Sequence, residues 1–140
     1  MKDSVIGIIG GGIGGLTTAL ALDQAGFNYQ VFERAPAIAP VGAGIWLAPN
    51  ALQVLESLRV LSEIEQAGHS IDRITVWRAD LSAILDHDQG FIKDHFGYSS
   101  IAIHRAKLLE IVYSQIPAER ISLGKSIDSF EEDASGKIYP

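Results

Sequence analysis

The sequence predicts an α/β fold that opens with a parallel βαβ unit, and three observations carry the prediction. Ser4-Val5-Ile6-Gly7-Ile8-Ile9 is a short run rich in β-branched residues and bounded by glycine, the pattern of a buried parallel strand. From Ile13 the apolar spacing turns helical through Leu16 and Leu20, with Ala19 and Leu22 beside them, and Gly26 supplies a stop. Tyr29-Gln30-Val31-Phe32-Glu33 then reads as a second strand. Strand, helix and strand within about 30 residues imply a crossover connection, which is right-handed in nearly all such units.

Composition narrows what such a fold can do. The 140 residues are 47% apolar and 20% charged, enough for one sizeable core and too apolar for intrinsic disorder. A net charge of −6 with scattered basic residues leaves no electrostatic footprint for nucleic acid or an anionic membrane surface. Zero cysteines exclude disulfides, thiolate metal sites and cysteine nucleophiles, and fit a reducing, cytoplasmic setting. The stretch from Val5 to Leu22 follows Lys2 and ends near Ala19-Leu20-Ala21, which imitates a signal-peptidase site. Asp3 weakens that leader, and each glycine inside a continuous helix would cost about 1 kcal/mol. The glycines serve better as a turn, so no membrane span is expected.

Beyond Glu33, Pro36 to Asn50 holds three prolines and two glycines and reads as a long loop. A helix opening with Pro49 carries Leu52, Leu55 and Leu58 on one face and is expected to continue through Leu61 and Ile64 to Gly68. Arg73 to Trp77 alternates as a half-buried strand, with Leu81 to Leu85 as its partner across a turn at Ala79-Asp80. Asp86 to Gly97 is polar and aromatic and reads as loop. Ser100 to Ile103 is a strand, His104 to Ile116 a helix ended by Pro117, and Arg120 to Leu123 a return to the parallel sheet. Ser135-Gly136 is a hairpin turn, and the chain stops inside that hairpin, as an incomplete domain would.

The chemistry concentrates in the glycines. Six of the fourteen fall between Gly7 and Gly15, and Gly10, Gly12 and Gly15 satisfy G-x-G-x-x-G. Gly10 permits a tight turn out of the strand, Gly12 lets the backbone approach a pyrophosphate, and Gly15 allows close packing of helix on sheet. The helix starts near Ile13, so its unpaired N–H groups and positive dipole end face the phosphates. Glu33 closes the second strand about 20 residues on, where a carboxylate accepts hydrogen bonds from both ribose hydroxyls and repels a 2′-phosphate, despite Arg34 beside it. The expectation is a Rossmann-like site for an adenine dinucleotide, and periodicity leaves NAD and FAD open.

Three segments taken together resemble the FAD-dependent aromatic hydroxylases, single-component flavoprotein monooxygenases such as salicylate, urate and para-hydroxybenzoate hydroxylases. They are Ile9-Gly10-Gly11-Gly12-Ile13-Gly14-Gly15-Leu16 with Val31-Phe32-Glu33-Arg34, then Val41-Gly42-Ala43-Gly44-Ile45-Trp46-Leu47-Ala48-Pro49-Asn50-Ala51, then Ile103-His104-Arg105-Ala106-Lys107-Leu108. The resemblance implies an FAD-binding domain, N-terminal portion only, with the first strands of an adjoining substrate-domain sheet. It divides the chain into a fingerprint (1–35), a flavin-side loop and helix (36–70), substrate-side strands (71–103), a helix with its return strand (104–124) and an incomplete hairpin (125–140). The parent would run to about 350–400 residues. Gly10, Gly12, Ile13 and Gly15 would serve the FAD pyrophosphate, Glu33 the ribose, and Arg34 the adenine side. Gly42, Ala43 and Gly44 would pass close to the ribityl chain and isoalloxazine, and Arg105 would donate charge-assisted bonds to the pyrophosphate or ribityl region. In that family NADH or NADPH delivers hydride to FAD, and O2 forms a flavin C4a-hydroperoxide that attacks a small aromatic substrate. No side chain is needed as acid or base, so no catalytic residue is assigned. A glycine often follows the family's Asn-Ala helix, and Arg59 stands there instead, which leaves that helix end open.

Other constellations carry less. Asp86-His87-Asp88 with Asp94-His95 imitates a metal-ligand set but reads as a solvated loop, so no metal is expected. Trp46, Trp77, Phe91, Phe96 and Tyr98 could line an aromatic pocket, with Trp77 expected in the core. His69 and His104 read as a helix-end residue and a helix-cap neighbour. Two other readings stay open: another FAD- or NAD-dependent oxidoreductase with a Rossmann site, and a nucleotide-binding module without turnover.

Overall fold

The computed structural model describes residues 4–38, 42–134, 136, 138 and 139. The first half runs β1 (Ile6–Ile9), α1 (Ile13–Gln24), β2 (Tyr29–Glu33), β3 (Gly44–Leu47), α2 (Pro49–Ser57), α3 (Leu61–Ala67) and β4 (His69–Ser70). The second half runs β5 (Arg73–Trp77), β6 (Ala83–Asp88), α4 (Gly90–Phe96), β7 (Ile101–His104), α5 (Arg105–Ser114), β8 (Ile121–Leu123), β9 (Glu131–Glu132) and β10 (Ile138–Tyr139). The chain forms two compact units, Met1–Ala39 with Val112–Pro140, and Pro40–Ile111.

In the first unit β1 pairs β2 in parallel, from Ile6 opposite Tyr29 to Ile9 opposite Phe32. The return strand β8 pairs the other edge of β2, also in parallel, with Val31 opposite Ile121. Leu16, Ala19 and Leu20 of α1 are buried, as are Tyr29 and Val31. The Tyr29 hydroxyl donates to Asp23 Oδ1 at 3.1 Å, and the Arg120 guanidinium lies 5.4 Å from its ring centre. Burial and the Asp23 bond together push the Tyr29 hydroxyl up to about 12. The expected buried strand is parallel as read, yet Val5 and Ile9 are exposed. The alternate residue Ile8 is the buried one, in contact with the start of α1. At the far end, β9 and β10 pair antiparallel and Gly136 turns at φ +81, so the tail hairpin closes. Ser135, the other residue of that turn, lies outside the described residues.

The second unit holds an antiparallel sheet in the order β3-β7-β4. Gly44 sits opposite His104 and Leu47 opposite Ile101, while His69 pairs Ala102. Leu47, Ile101 and Ile103 join Leu52, Leu55, Leu58, Val60, Leu61 and Ile64 in its buried core. The segment expected as loop from Pro36 to Asn50 therefore contains a strand, because Ile45-Trp46-Leu47 has β propensity enough to pair once β7 is beside it. His69, expected at a helix end, opens β4. The single helix expected from Pro49 to Gly68 is two: α2 stops at Ser57, Arg59 takes φ +60, and α3 restarts at Leu61.

β5 and β6 form a separate antiparallel hairpin, Arg73 opposite Asp88 and Val76 opposite Leu85. Its turn centres on Ala79-Asp80 as expected, with Leu81 N–H donating to the Arg78 carbonyl at 3.0 Å. The partner strand nonetheless starts at Ala83, not Leu81, since Leu81 sits at φ +65 and Ser82 is bonded to Asp80. Trp77, expected in the core, is 57% exposed. Among the described residues its strand pairs only with β6, and two strands bury little between them. Asp86 to Gly97, expected as loop, holds the end of β6 and α4. The helix is punctuated by Asp88 Oδ1 accepting the Gly90 N–H at 2.6 Å and by Gly97 at φ +80. Helix α5 is two residues shorter at its end than expected, its last turn tightening toward Pro117.

Candidate functional site

The turn between β1 and α1 is built almost wholly from backbone. Gly10, at φ +102, donates its N–H to the Phe32 carbonyl at 2.8 Å and steers the chain off the strand. Gly12 is the N-cap of α1 and offers no side-chain cap, so the first-turn N–H groups from Ile13 onward are left to an outside acceptor. A Cβ built on Gly12 or Gly14 would meet nothing, whereas one on Gly15 would overlap the Gly10 carbonyl and press on Ile8. Gly15 is thus fixed by the turn's own backbone, a closer constraint than the helix-on-sheet packing expected of it.

Glu33 is aimed at this turn. Its Oε2 accepts the Gly11 N–H at 2.5 Å and its Oε1 the Ala35 N–H at 2.7 Å. Those two amide bonds, Ala35 first, hold the carboxyl below its ordinary value. The Arg34 charge and amide add smaller contributions in the same direction, and a carboxylate's roughly four acceptor positions leave capacity for another donor. Arg34 beside it is exposed. The end of β8 braces the same corner: Gly124, at φ +66, donates to the Ala35 carbonyl and Lys125 to the Glu33 carbonyl, both at 2.9 Å. Sequence reasoning missed Gly11, Ala35 and this brace. A glycine following the β8 run was the available signal for the brace; the partners of a carboxylate carry none.

The second unit gathers the remaining expected residues. Gly42, at φ +142, is exposed, and a Cβ on it would lie 3.2 Å from Arg105 Cδ. The aliphatic part of Arg105 therefore lies over a bare backbone. Arg105 opens α5, its N–H donating to the Ala43 carbonyl at 3.1 Å, and Gly44 pairs His104 next to it. Val41 of that motif lies outside the described residues. The structure thus brings Gly10, Gly12, Ile13, Gly15, Glu33 and Arg34 together in one unit, and Gly42, Ala43, Gly44 and Arg105 together in the other.

Chemically the first cluster fits a diphosphate joined to a sugar: open main-chain amides at a helix N-terminus, no Cβ in the approach, and a carboxylate one strand away. The imitation metal set is otherwise employed. Asp86 takes the Arg73 guanidinium through two bonds of 2.5 and 2.6 Å, His87 Nδ1 is paired with Gln89, and the His95 ring stacks on Phe91. Among the described residues no three His, Asp or Glu gather as ligands, and no helix is long and apolar enough to cross a membrane.

Residues 2–134 match the family model described as FAD binding domain. The chain is 33% identical over 129 residues to the aurachin C monooxygenase/isomerase of Stigmatella aurantiaca, covering 92% of the chain and 34% of that protein. It is 35% identical over 134 residues to the 3-amino-4-hydroxybenzoate 2-monooxygenase of Streptomyces cremeus, covering 94% and 34%. For the 6-hydroxynicotinate 3-monooxygenase of Bordetella bronchiseptica the values are 30% over 132 residues, 91% and 34%. The chain thus spans about a third of the length of these relatives. Among solved structures, Klebsiella pneumoniae HpxO with FAD and uric acid superposes at a TM-score of 0.81 and 21% identity, over 99% of this chain and 38% of that one. The p-nitrophenol 4-monooxygenase PnpA of Pseudomonas putida superposes at 0.84 and 18% identity, over 94% and 34%.

Proposed function

Because the chain belongs to the FAD binding domain family, we propose that it is the FAD-holding part of a monooxygenase that hydroxylates a small aromatic or heteroaromatic molecule with NADH or NADPH and O2. The observation that carries the reading is the glycine turn, whose open amides stand beside a carboxylate already seated against it. Bound FAD supplies the hydride and oxygen chemistry. This chain's residues do the holding. Gly12 and Ile13 present N–H groups to the pyrophosphate, while Gly10 and Gly15 keep the turn in the one shape that exposes them. Glu33 offers its remaining lone pairs to the ribose hydroxyls, and Arg34 lies on the adenine side. Gly42, Ala43 and Gly44 form a bare strip of backbone for the ribityl chain and ring system, with Arg105 as a directed donor across it. Relatives named for hydroxynicotinate and aminohydroxybenzoate support an electron-rich aromatic acid or heterocycle as substrate. The β5–β6 hairpin of the 71–103 segment contributes to the substrate side, a role supported by its exposed apolar residues Val76 and Leu85, whereas Ile101–Ile103 belong to β7 of the other sheet. A chain without cysteine suits the reducing cytoplasm in which we place it.

Flavin fluorescence tests this directly. Titrating FAD into the 140-residue chain gives weak quenching at most, and a polypeptide extended to the relatives' length gives a stoichiometric yellow holoprotein that consumes NADH or NADPH with an aromatic acid. Gly15→Ala abolishes FAD binding in both. Stoichiometric binding of NAD in place of FAD by the longer polypeptide overturns the reading.

A further inference from the structure

We propose that Gly11, the position which the G-x-G-x-x-G spacing leaves free, is a positioning residue that sets the Glu33 carboxylate for the adenosine ribose. The proposal rests on the FAD reading above and adds a residue to it. Gly11 is buried, and its N–H donates to Glu33 Oε2 at 2.5 Å. That donor is committed to the carboxylate, which leaves the phosphate-facing work to the amides after it. A Cβ on Gly11 would lie 3.1 Å from Glu33 Cβ, 3.2 Å from Cγ and 3.2 Å from Oε2. These contacts run along the whole side chain, so Glu33 could yield only by moving as a unit. It is not free to do so, because Oε1 is tied to the Ala35 N–H on the other side. The carboxylate is therefore held between the Gly11 and Ala35 amides, one from each side of the corner. A carboxylate has about four acceptor positions, so capacity remains for a hydroxyl. A side chain at 11 would press on Glu33, and Glu33 is oriented by Gly11; the turn and the sugar-binding group are one mechanical piece. Such pre-orientation removes an ordering cost that the ligand would otherwise carry.

The test reads amide exchange in the 15N-labelled 140-residue chain, and binding of two probes, ADP and inorganic pyrophosphate, by the polypeptide extended to the relatives' length. In the unliganded chain the Gly11 and Ala35 amides exchange with solvent ~100-fold more slowly than open turn amides. Glu33→Gln frees one of them, since a single amide oxygen replaces two carboxylate acceptors. Gly11→Ala, in a chain whose melting still shows it folded, weakens ADP about 10-fold and pyrophosphate less than about 2-fold, because only the sugar side is disturbed. A purely structural role would weaken both alike, and that result overturns the proposal. So does a Gly11 amide that exchanges freely in the parent chain, a measurement that needs no variant to fold. Slow exchange at Gly11 with no binding of either probe sinks the FAD reading and the positioning role with it. ADP binding that Gly11→Ala leaves untouched sinks the positioning role alone.

Discussion

Two helices of this protein end in the same way with different residues, and the contrast separates conformation from packing. Helix α1 closes at Gly26, φ +74, whose N–H returns to the Asp23 carbonyl while Phe27 N–H returns to Leu22. Helix α2 closes at Arg59, φ +60, whose N–H returns to Glu56 while Val60 N–H returns to Leu55. Both are Schellman caps, with the left-handed residue at C′ and the six-to-one bond from the residue after it. A left-handed residue with a Cβ costs roughly 1–2 kcal/mol, so α2 must recover that elsewhere. It does so in the residue that follows: Val60 is wholly buried with Leu55, while Phe27 in the corresponding place of α1 is 51% exposed. One cap is held by the freedom of glycine and the other by an apolar anchor. The lesson is that a missing glycine does not predict a continuing helix where the next residue can be buried.

Four substitutions break or sharpen that contrast. The largest effect is expected at Val60→Ala, which removes the anchor and costs about 2 kcal/mol by urea denaturation. Gly26→Ala follows, a loss of about 1 kcal/mol from forcing a Cβ into the left-handed region. Arg59→Gly runs the other way and stabilises by about 0.7 kcal/mol, read as a higher melting temperature with an unchanged slope in urea. Phe27→Ala comes last at under about 0.5 kcal/mol, since its ring is half in water. If Phe27→Ala cost as much as Val60→Ala, the two caps would be held alike and the distinction would fall.

The same division runs through the rest of the molecule. The fingerprint was legible because each of its requirements is local: a β-branched run, a tight turn, a helix start, and an acid at the next strand's end. Gly10, Gly15 and Glu33 stand where those requirements put them. The hairpin Arg73 to Asp88 was legible only in part. Alternation identifies a strand and says which residues share a face, but whether a face is covered depends on what lies against it. Trp77 and Val76, at the turn end of the hairpin, are exposed, whereas Ile74 and Thr75 nearer its base are half-buried as the pattern reads. The strand at Gly44 to Leu47 was hidden by its flanking glycines and prolines, which mark turns equally well on either side of a short strand.

From its own residue order the chain determined the βαβ opening, the glycine turn and the acid that faces it, since turn sterics and helix ends act within a few residues. Tertiary structure alone decided that Arg59 should take a glycine's conformation, that Gly11 should meet the Glu33 side chain, and that Glu33 should be clamped between Gly11 and Ala35. Those outcomes depend on which groups from distant parts of the chain come within bonding distance, and on burial that only a packed neighbour can supply.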